Sequence, residues 1–235
     1  MWDACIDNNL RPILPGFKGQ LSIGVDIGYA HDSSSVVGVY REGGRVVLGL
    51  HKCWVPTKTH KIDIEETVEA YLKESHKIYN VVSFNYDPYQ FHRSGVSLAK
   101  LGLKMVEFPQ TSDRLIEAGE NLYSLIKGRN LVAYRDREVR DHILKSIAKE
   151  SARGFRLIKS KQSDRIDLAV SLAMACIKAV NLDTGGARVR WLDEPDHMTS
   201  KEAREEQRRR WIESDDDFDD EIDRSHLLPE RYNQI

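Results

Sequence analysis

The chain lacks the sequences on which several function classes depend. Its 235 residues include no apolar run of 18 or more, so no membrane-spanning helix is expected. The opening MWDACIDNNLRP has no basic stretch ahead of an apolar core, so it does not read as a secretory signal. There are only three cysteines, Cys5, Cys53 and Cys176, widely separated and without a Cys-x-x-Cys pair. They read as reduced, mostly buried thiols of an intracellular protein. The absence of His-x-x-x-His and Gly-x-Ser-x-Gly removes support for zinc-hydrolase and serine-nucleophile chemistry. A Gly-x-x-x-x-Gly-Lys-Ser/Thr phosphate loop is absent too, so no ATP site of that kind is expected.

Charge is present in both signs but unevenly placed. Residues 183–235 carry 16 Asp/Glu against 9 Lys/Arg, a net of −7, which leaves residues 1–182 at +5. A basic body can meet a polyanion while the acidic tail stays apart from it. Three units follow: a lead-in at 1–20 with Pro12, Pro15 and Gly16, a body at 21–182, and a charged tail at 183–235 expected to be flexible or partner-dependent. Trp191 and Trp211 in that tail are candidates for docking a partner.

Within the body, LSIGVDI, SSSVVGVYR and RVVLGLHKCWV are strand candidates, the last two joined through Glu42-Gly43-Gly44 as a hairpin. A helical apolar period covers 63–79, VVSFNYD reads as a buried strand stopped by Pro88, and a short helix spans about 89–101. LKMVEF is a further strand, followed by a helix capped at Thr111 or Ser112 and stopped by Gly128. Another helix is expected over about 136–150, FRLIK as a short extended segment, and a last helix from a Ser163 cap through Val180. Antiparallel strands followed by strand–helix alternation predict one mixed sheet with helices on its faces. Trp54, Tyr71, Phe84 and Tyr86 are expected in the core.

Against that background three aspartates stand out. Asp26 in GVDIG sits within an apolar strand beside Gly24 and Gly28, glycines that admit a phosphate or another backbone. The competing reading is a carboxylate binding local amides, yet a mid-strand carboxylate is rarely left unpaired. Asp87 lies at the carboxyl end of a strand, where open α/β sheets place ligands, although Asp-Pro also opens turns. Asp167 is read as four residues into the last helix, where the dipole alone can favour an acid. Asp164, three residues earlier on the same face, is an alternative ligand. Small residues after Asp167 (Ala169, Ser171, Ala173, Ala175) let this helix pack close to the sheet and bring Asp167 towards Asp26. Three such carboxylates at one point make an oxygen-rich pocket suited to Mg²⁺ or Mn²⁺ and to phosphodiester hydrolysis. Asp32 is either an acid that supports the metal ligands from behind or an ordinary turn residue, with the turn favoured, and His31 and His92 could act near the site, although lone loop histidines are usually only solvated. Arg153, Arg156, Lys159, Lys161 and Arg165 precede or open the last helix and are candidates for gripping DNA phosphates.

GVDIGYAHDSS, NYDPYQ and DRIDLAVSLAMA together resemble the C-terminal nuclease domain of tailed-phage terminase large subunits, over about residues 20–180. The resemblance implies an RNase H-like α/β fold, a mixed five-stranded sheet with three antiparallel strands followed by parallel ones. It implies an endonuclease that cuts concatemeric double-stranded viral DNA during genome packaging with two divalent cations, Mg²⁺ or Mn²⁺. Asp26 would bridge both ions, Asp87 and Asp167 would each complete one side, and Asp32 matches a frequently acidic position. It further implies, as partners, a packaging ATPase domain absent from this chain, a small terminase subunit and a portal, in the host cytoplasm and away from any membrane. A Holliday-junction resolvase of the same fold and a non-catalytic portal or motor docking module resting on the tail are the alternatives.

Overall fold

The run Gln20–Asp26 serves two layers at once, because successive side chains of a strand point to opposite faces. Leu21, Ile23 and Val25 fall on one face, and Ser22, Gly24 and Asp26 on the other. In the computed structural model, which describes residues 1–28, 32–57, 59–151 and 154–180, this strand lies inside a seven-stranded mixed sheet. His31, Arg153, Trp191, Trp211 and the tail expected at 183–235 lie outside the described residues.

In chain order the elements are β1 (Ile6–Asp7), β2 (Gln20–Asp26), β3 (Ser34–Glu42) and β4 (Arg45–Trp54). A π-type turn at Glu65–Glu69 then runs into α1 (Ala70–Ile78), followed by β5 (Asn80–Tyr86), α2 (His92–Lys100) and β6 (Met105–Glu107). Next come α3 (Ser112–Lys127), β7 (Leu131–Tyr134) and α4 (Arg137–Leu144). The hairpin strands β8 (Ser146–Ser151) and β9 (Gly154–Lys159) lead to α5 (Asp167–Val180). The sheet order is β1-β7-β4-β3-β2-β5-β6, and β8 and β9 form a separate two-stranded sheet. β2–β3 and β3–β4 are antiparallel, whereas β2–β5, β5–β6, β4–β7 and β1–β7 are parallel. Gly43 and Gly44 turn the β3–β4 hairpin with φ of +54° and +82°, the left-handed region that glycine occupies without a Cβ penalty.

The expected five strands are present as β4-β3-β2-β5-β6, and the mixed α/β class holds. Four details differ. β7 and β1 extend the sheet beside β4, so the lead-in is partly structured, with Trp2 and Cys5 buried. Four and two residues are too few to show a period. The helix expected over 136–150 ends at Leu144, where Ser146 Oγ donates to the Ile143 carbonyl at 2.6 Å. Residues 146–151 pair with β9 instead, a cross-chain preference that local periodicity does not encode. Finally, α5 begins at Asp167, so this aspartate opens the helix and Ser163 does not cap it. A tight turn precedes it, in which Asp164 N–H donates to the Lys161 carbonyl and Lys161 N–H donates to Asp164 Oδ2, both at 2.9 Å.

One face of the sheet packs on α1, α2 and the segment before them. Val68, Leu72, Phe84, Phe91 and Leu98 are fully buried with Leu21, Ile23 and Val25 in one apolar cluster. Trp54 and Tyr71 meet edge-on at its margin, 5.6 Å between ring centres. The opposite face holds α5. A Cβ on Gly24 would lie 2.0 Å from the Ser171 carbonyl oxygen and 2.9 Å from the Ala175 nitrogen, so the glycine is what lets the helix backbone approach. Ser22 Oγ donates to the Ala175 carbonyl at 2.9 Å, and the hydroxyls of Ser35 and Ser171 are 2.7 Å apart. Gly28 also faces its own chain, against the backbone of Asp32 and Ser33. At both glycines the place a Cβ would take is occupied by protein backbone.

Candidate active site

Asp26 ends β2 on the α5 face, opposite Ser35 of β3. Val25 pairs with Tyr86 in the parallel β2–β5 register, so Asp87, the next residue, leaves the sheet at the same carboxyl-terminal edge. The close approach of α5 at Gly24 carries the first residue of that helix, Asp167, to the same edge. Asp167 is only 5% exposed, and Ser33 Oγ donates to its Oδ2 in a short contact. Asp26 is half-buried, and Gln110 Nε2 donates to its Oδ1 at 2.9 Å. Asp87 is half-buried as well, and its Oδ1 accepts the Tyr89 amide at 3.1 Å.

The electrostatics report how close these groups are. Burial pushes the Asp26 carboxyl up to about 7, and the Asp167 charge adds to the rise. The Gln110 hydrogen bond opposes it, while Asp87 and Asp32 push the same way with smaller effect. A carboxyl that cannot ionise freely beside other carboxylates is where a cation gains most. The donors are all hard oxygens, the set that Mg²⁺ and Mn²⁺ prefer, so charge and chemistry both fit divalent ions.

The remaining sequence candidates have varied surroundings. Asp32 is exposed and forms a short ion pair with Lys159 at the end of β9. Asp164 is half-buried in the turn before α5, its Oδ2 taken by the Lys161 amide. Lys161 is exposed, while Arg156 on β9 and Arg165 beside α5 are half-buried. An open cleft of about 350 Å³ lies between α4 and the turn before α5, walled by Arg137, Lys145 and Arg165 and equally by Glu138 and Asp141, and none of the three aspartates lines it. His92 is exposed and paired with Glu107 at 3.0 Å.

Four functional neighbours escape a sequence reading: Ser33, Gln110, Cys53 and His142. His142 is buried and its Nδ1 accepts the Leu168 amide at 3.1 Å, holding the first turn of α5 directly after Asp167. Burial lowers the His142 pKa, opposed by the charges of Asp167 and Glu138. Cys53 is half-buried, and burial pushes its thiol up to about 12. Only the period-two pattern Ser22-Gly24-Asp26 marks this polar face in sequence; Gln110 and His142 arrive from separate elements with no local signal.

No family model and no curated protein matches the chain. Solved structures do. The large terminase of bacteriophage HK97 aligns with a TM-score of 0.63 at 20% identity, covering 74% of this chain and 41% of that one. The large terminase nuclease of thermophilic phage G20c aligns at 0.58 and 17% identity, covering 74% and 94%. The nuclease domain of the Thermus phage P74-26 large terminase aligns at 0.54 and 18% identity, covering 74% and 90%. The G20c nuclease is also similar in forms with bound magnesium, cobalt and zinc. The fold of this chain is thus the RNase H-like fold of phage large-terminase nuclease domains. The chain spans less than half of the HK97 protein and nearly all of the isolated G20c nuclease.

Proposed function

We propose that this chain is a divalent-metal-dependent endonuclease that cuts double-stranded DNA, acting as the nuclease unit of a viral genome-packaging terminase. The observation that carries the reading is the meeting of Asp26, Asp87 and Asp167 at one sheet edge, with Asp26 held near 7 by burial and by its acidic neighbours. The structural likeness to large-terminase nucleases supports it, and so does the magnesium-bound state of one of them.

Asp26, Asp87 and Asp167 would hold two ions, whose chemistry when bound is to lower the pKa of water and to neutralise charge on the reacting phosphate. The chain itself fixes the geometry. Ser33 orients Asp167, Gln110 orients Asp26 and lowers its proton affinity, and the Tyr89 amide holds Asp87. No protein nucleophile is required. Arg156, Lys161 and Arg165 would meet DNA phosphates, with Lys159 shared with Asp32; such contacts give strong salt dependence and little sequence preference. A packaging ATPase domain, a small terminase subunit and a portal would be partners in the host cytoplasm. The lead-in, nuclease body and charged tail at 1–20, 21–182 and 183–235 would then be three functional segments.

The test is nicking of supercoiled plasmid by wild type, Asp26→Ala and Asp167→Ala in Mn²⁺, Mg²⁺ or EDTA. Cutting that needs metal and disappears in both variants is expected. Equal cutting by all three proteins would remove the site from the reaction.

A further inference from the structure

Cys53, Glu138 and His142 converge on one point, each with a donor atom within 4.8 Å of the other two. Glu138 and His142 are four residues apart on α4 and share a helix face. Cys53 meets them from the sheet. It stands opposite Ser35 in the β3–β4 register, and Ser35 stands opposite Asp26 in the β2–β3 register. Residues directly opposite across strands point to the same side, so Cys53 lies in the row of Asp26, about 10 Å away over two strand spacings. The donors are a thiol, a carboxylate and an imidazole. Three such protein ligands with one open position make the coordination of zinc, and a thiolate selects thiophilic ions over Mg²⁺. We infer that Cys53, Glu138 and His142 form a second cation site, for Zn²⁺ or Co²⁺, whose occupancy weakens the carboxylate site.

The antagonism comes from the bond that His142 already makes. Its Nδ1 accepts the Leu168 amide at 3.1 Å. Ligation through Nδ1 takes that lone pair directly. Ligation through Nε2 leaves the ring proton on Nδ1, where it faces the Leu168 N–H donor to donor. Either way the first turn of α5 loses an acceptor next to Asp167. On ligation the Cys53 thiol gives its proton to solvent, so each bound cation releases one proton and binding tightens as pH rises. The cation site itself is independent of the nuclease reading; its effect on cutting rests on that reading.

Co²⁺ is the probe that separates the two centres, because a thiolate ligand gives sulfur-to-cobalt charge-transfer absorption in the near ultraviolet and oxygen ligands do not. Titration of the full chain is expected to give this band, saturating at one equivalent, in wild type and in Asp26→Ala. It is expected to vanish in Cys53→Ser. In Glu138→Gln, an exposed position whose substitution spares the core, it should need about tenfold more Co²⁺. No band in wild type overturns the site, as does a band surviving in Cys53→Ser, which would assign the sulfur to Cys5 or Cys176. Calorimetric Mn²⁺ titration then reads the coupling without any cutting. One equivalent of Zn²⁺ should weaken Mn²⁺ binding about fivefold in wild type and clearly less in Glu138→Gln, whose site fills less. Equal Mn²⁺ affinity with and without Zn²⁺ would overturn the antagonism.

Discussion

The two faces of the central sheet are built from opposite materials. Against α1 and α2 the sheet presents Leu21, Ile23, Val25, Phe84 and Tyr86, an apolar layer held by removal of area from water. Against α5 it presents Val37 and Val39 together with Ser22, Gly24, Ser35, Ser83 and Asn85, so that buried polar groups joined by hydrogen bonds are set among apolar ones. Asn85 Nδ2 donates to the Ile23 carbonyl at 2.9 Å, and Ser171 Oγ donates to the Ser35 carbonyl at 3.1 Å. A hydrogen bond contributes only about 1 kcal/mol net, so the polar groups of this second face add little stability for their area, and its burial energy comes from Val37, Val39 and the leucines of α5. What it gives is position. Small side chains let two backbones approach, directional bonds fix their register, and the aspartates inherit that register. The apolar face keeps the domain folded, and the polar face aims it.

The largest expected effects test that division directly. Asp26→Ala or Asp167→Ala should lower metal-dependent nicking on the order of 10³-fold without loss of folding, since each removes charge that acts on the reacting phosphate. Leu72→Ala, on the other face, should cost about 2–5 kcal/mol of stability by leaving a cavity. The folded fraction of that variant should still cut at the wild-type rate. Chemical denaturation alongside nicking at 20 °C or below measures both. A Leu72→Ala protein that is folded yet inactive would break the division between the faces.

The Asp26 carboxyl makes the polar face costly in a pH-dependent way. Its folded pKa is raised from 3.8 to about 7, so between those values the folded state holds a proton that the unfolded state has lost. Stability therefore falls as pH rises from about 4 to about 7, by up to about 4 kcal/mol if no ion is bound. In EDTA, Asp26→Asn should flatten this slope and exceed wild type in stability at pH 8. Divalent cations should oppose the fall in wild type and do much less in the variant. Urea denaturation across pH 4–8 reads the difference.

Close approach can be broken separately from charge. Gly24→Val would drive a side chain into the Ser171 carbonyl and force α5 away from β2, at about 1–3 kcal/mol or more. Because Asp167 rides on α5, Mn²⁺ affinity should fall as well, which calorimetry on the folded variant would show. An overpacked site on the apolar face, such as Val25→Leu, should cost comparable stability and leave Mn²⁺ affinity intact. The pair sharpens the comparison, since both variants add bulk to the same strand on opposite sides.

Much of this was legible in the chain. Alternation placed β2 to β6, the small residues after Asp167 announced a tightly packed helix, and carboxylates ending apolar strands marked the edge. The start of α5 lies three residues beyond the one that a Ser163 cap predicts, because Ser163 and Asp164 look like caps, whereas Asp164 closes a separate turn. The strand β8 was hidden because its extended form depends on a partner strand. Ser33, Gln110 and His142 were silent for the same reason: each acts across 26 to 134 residues of chain, and no local pattern records such a contact. The residues that carry charge were readable, and those that hold them in place were not.

Gln110 offers the finest test, because it alters the proton affinity of Asp26 without touching the sheet. Its amide donates to the ionised form and lowers the Asp26 pKa against burial and three acidic neighbours. Gln110→Ala should therefore raise that pKa further, by about one pH unit for a hydrogen bond to a charged group. The upper end of the metal-free stability loss should move to higher pH by the same amount. Mn²⁺ binding at pH 7 should weaken several-fold, because more of the site must release a proton first. Gln110→Glu should act more strongly at pH 8, adding a like charge where a donor stood. If neither variant moves that upper end, the proton that titrates near neutrality is not on Asp26, and the polar face must store its charge at another carboxylate of the same edge.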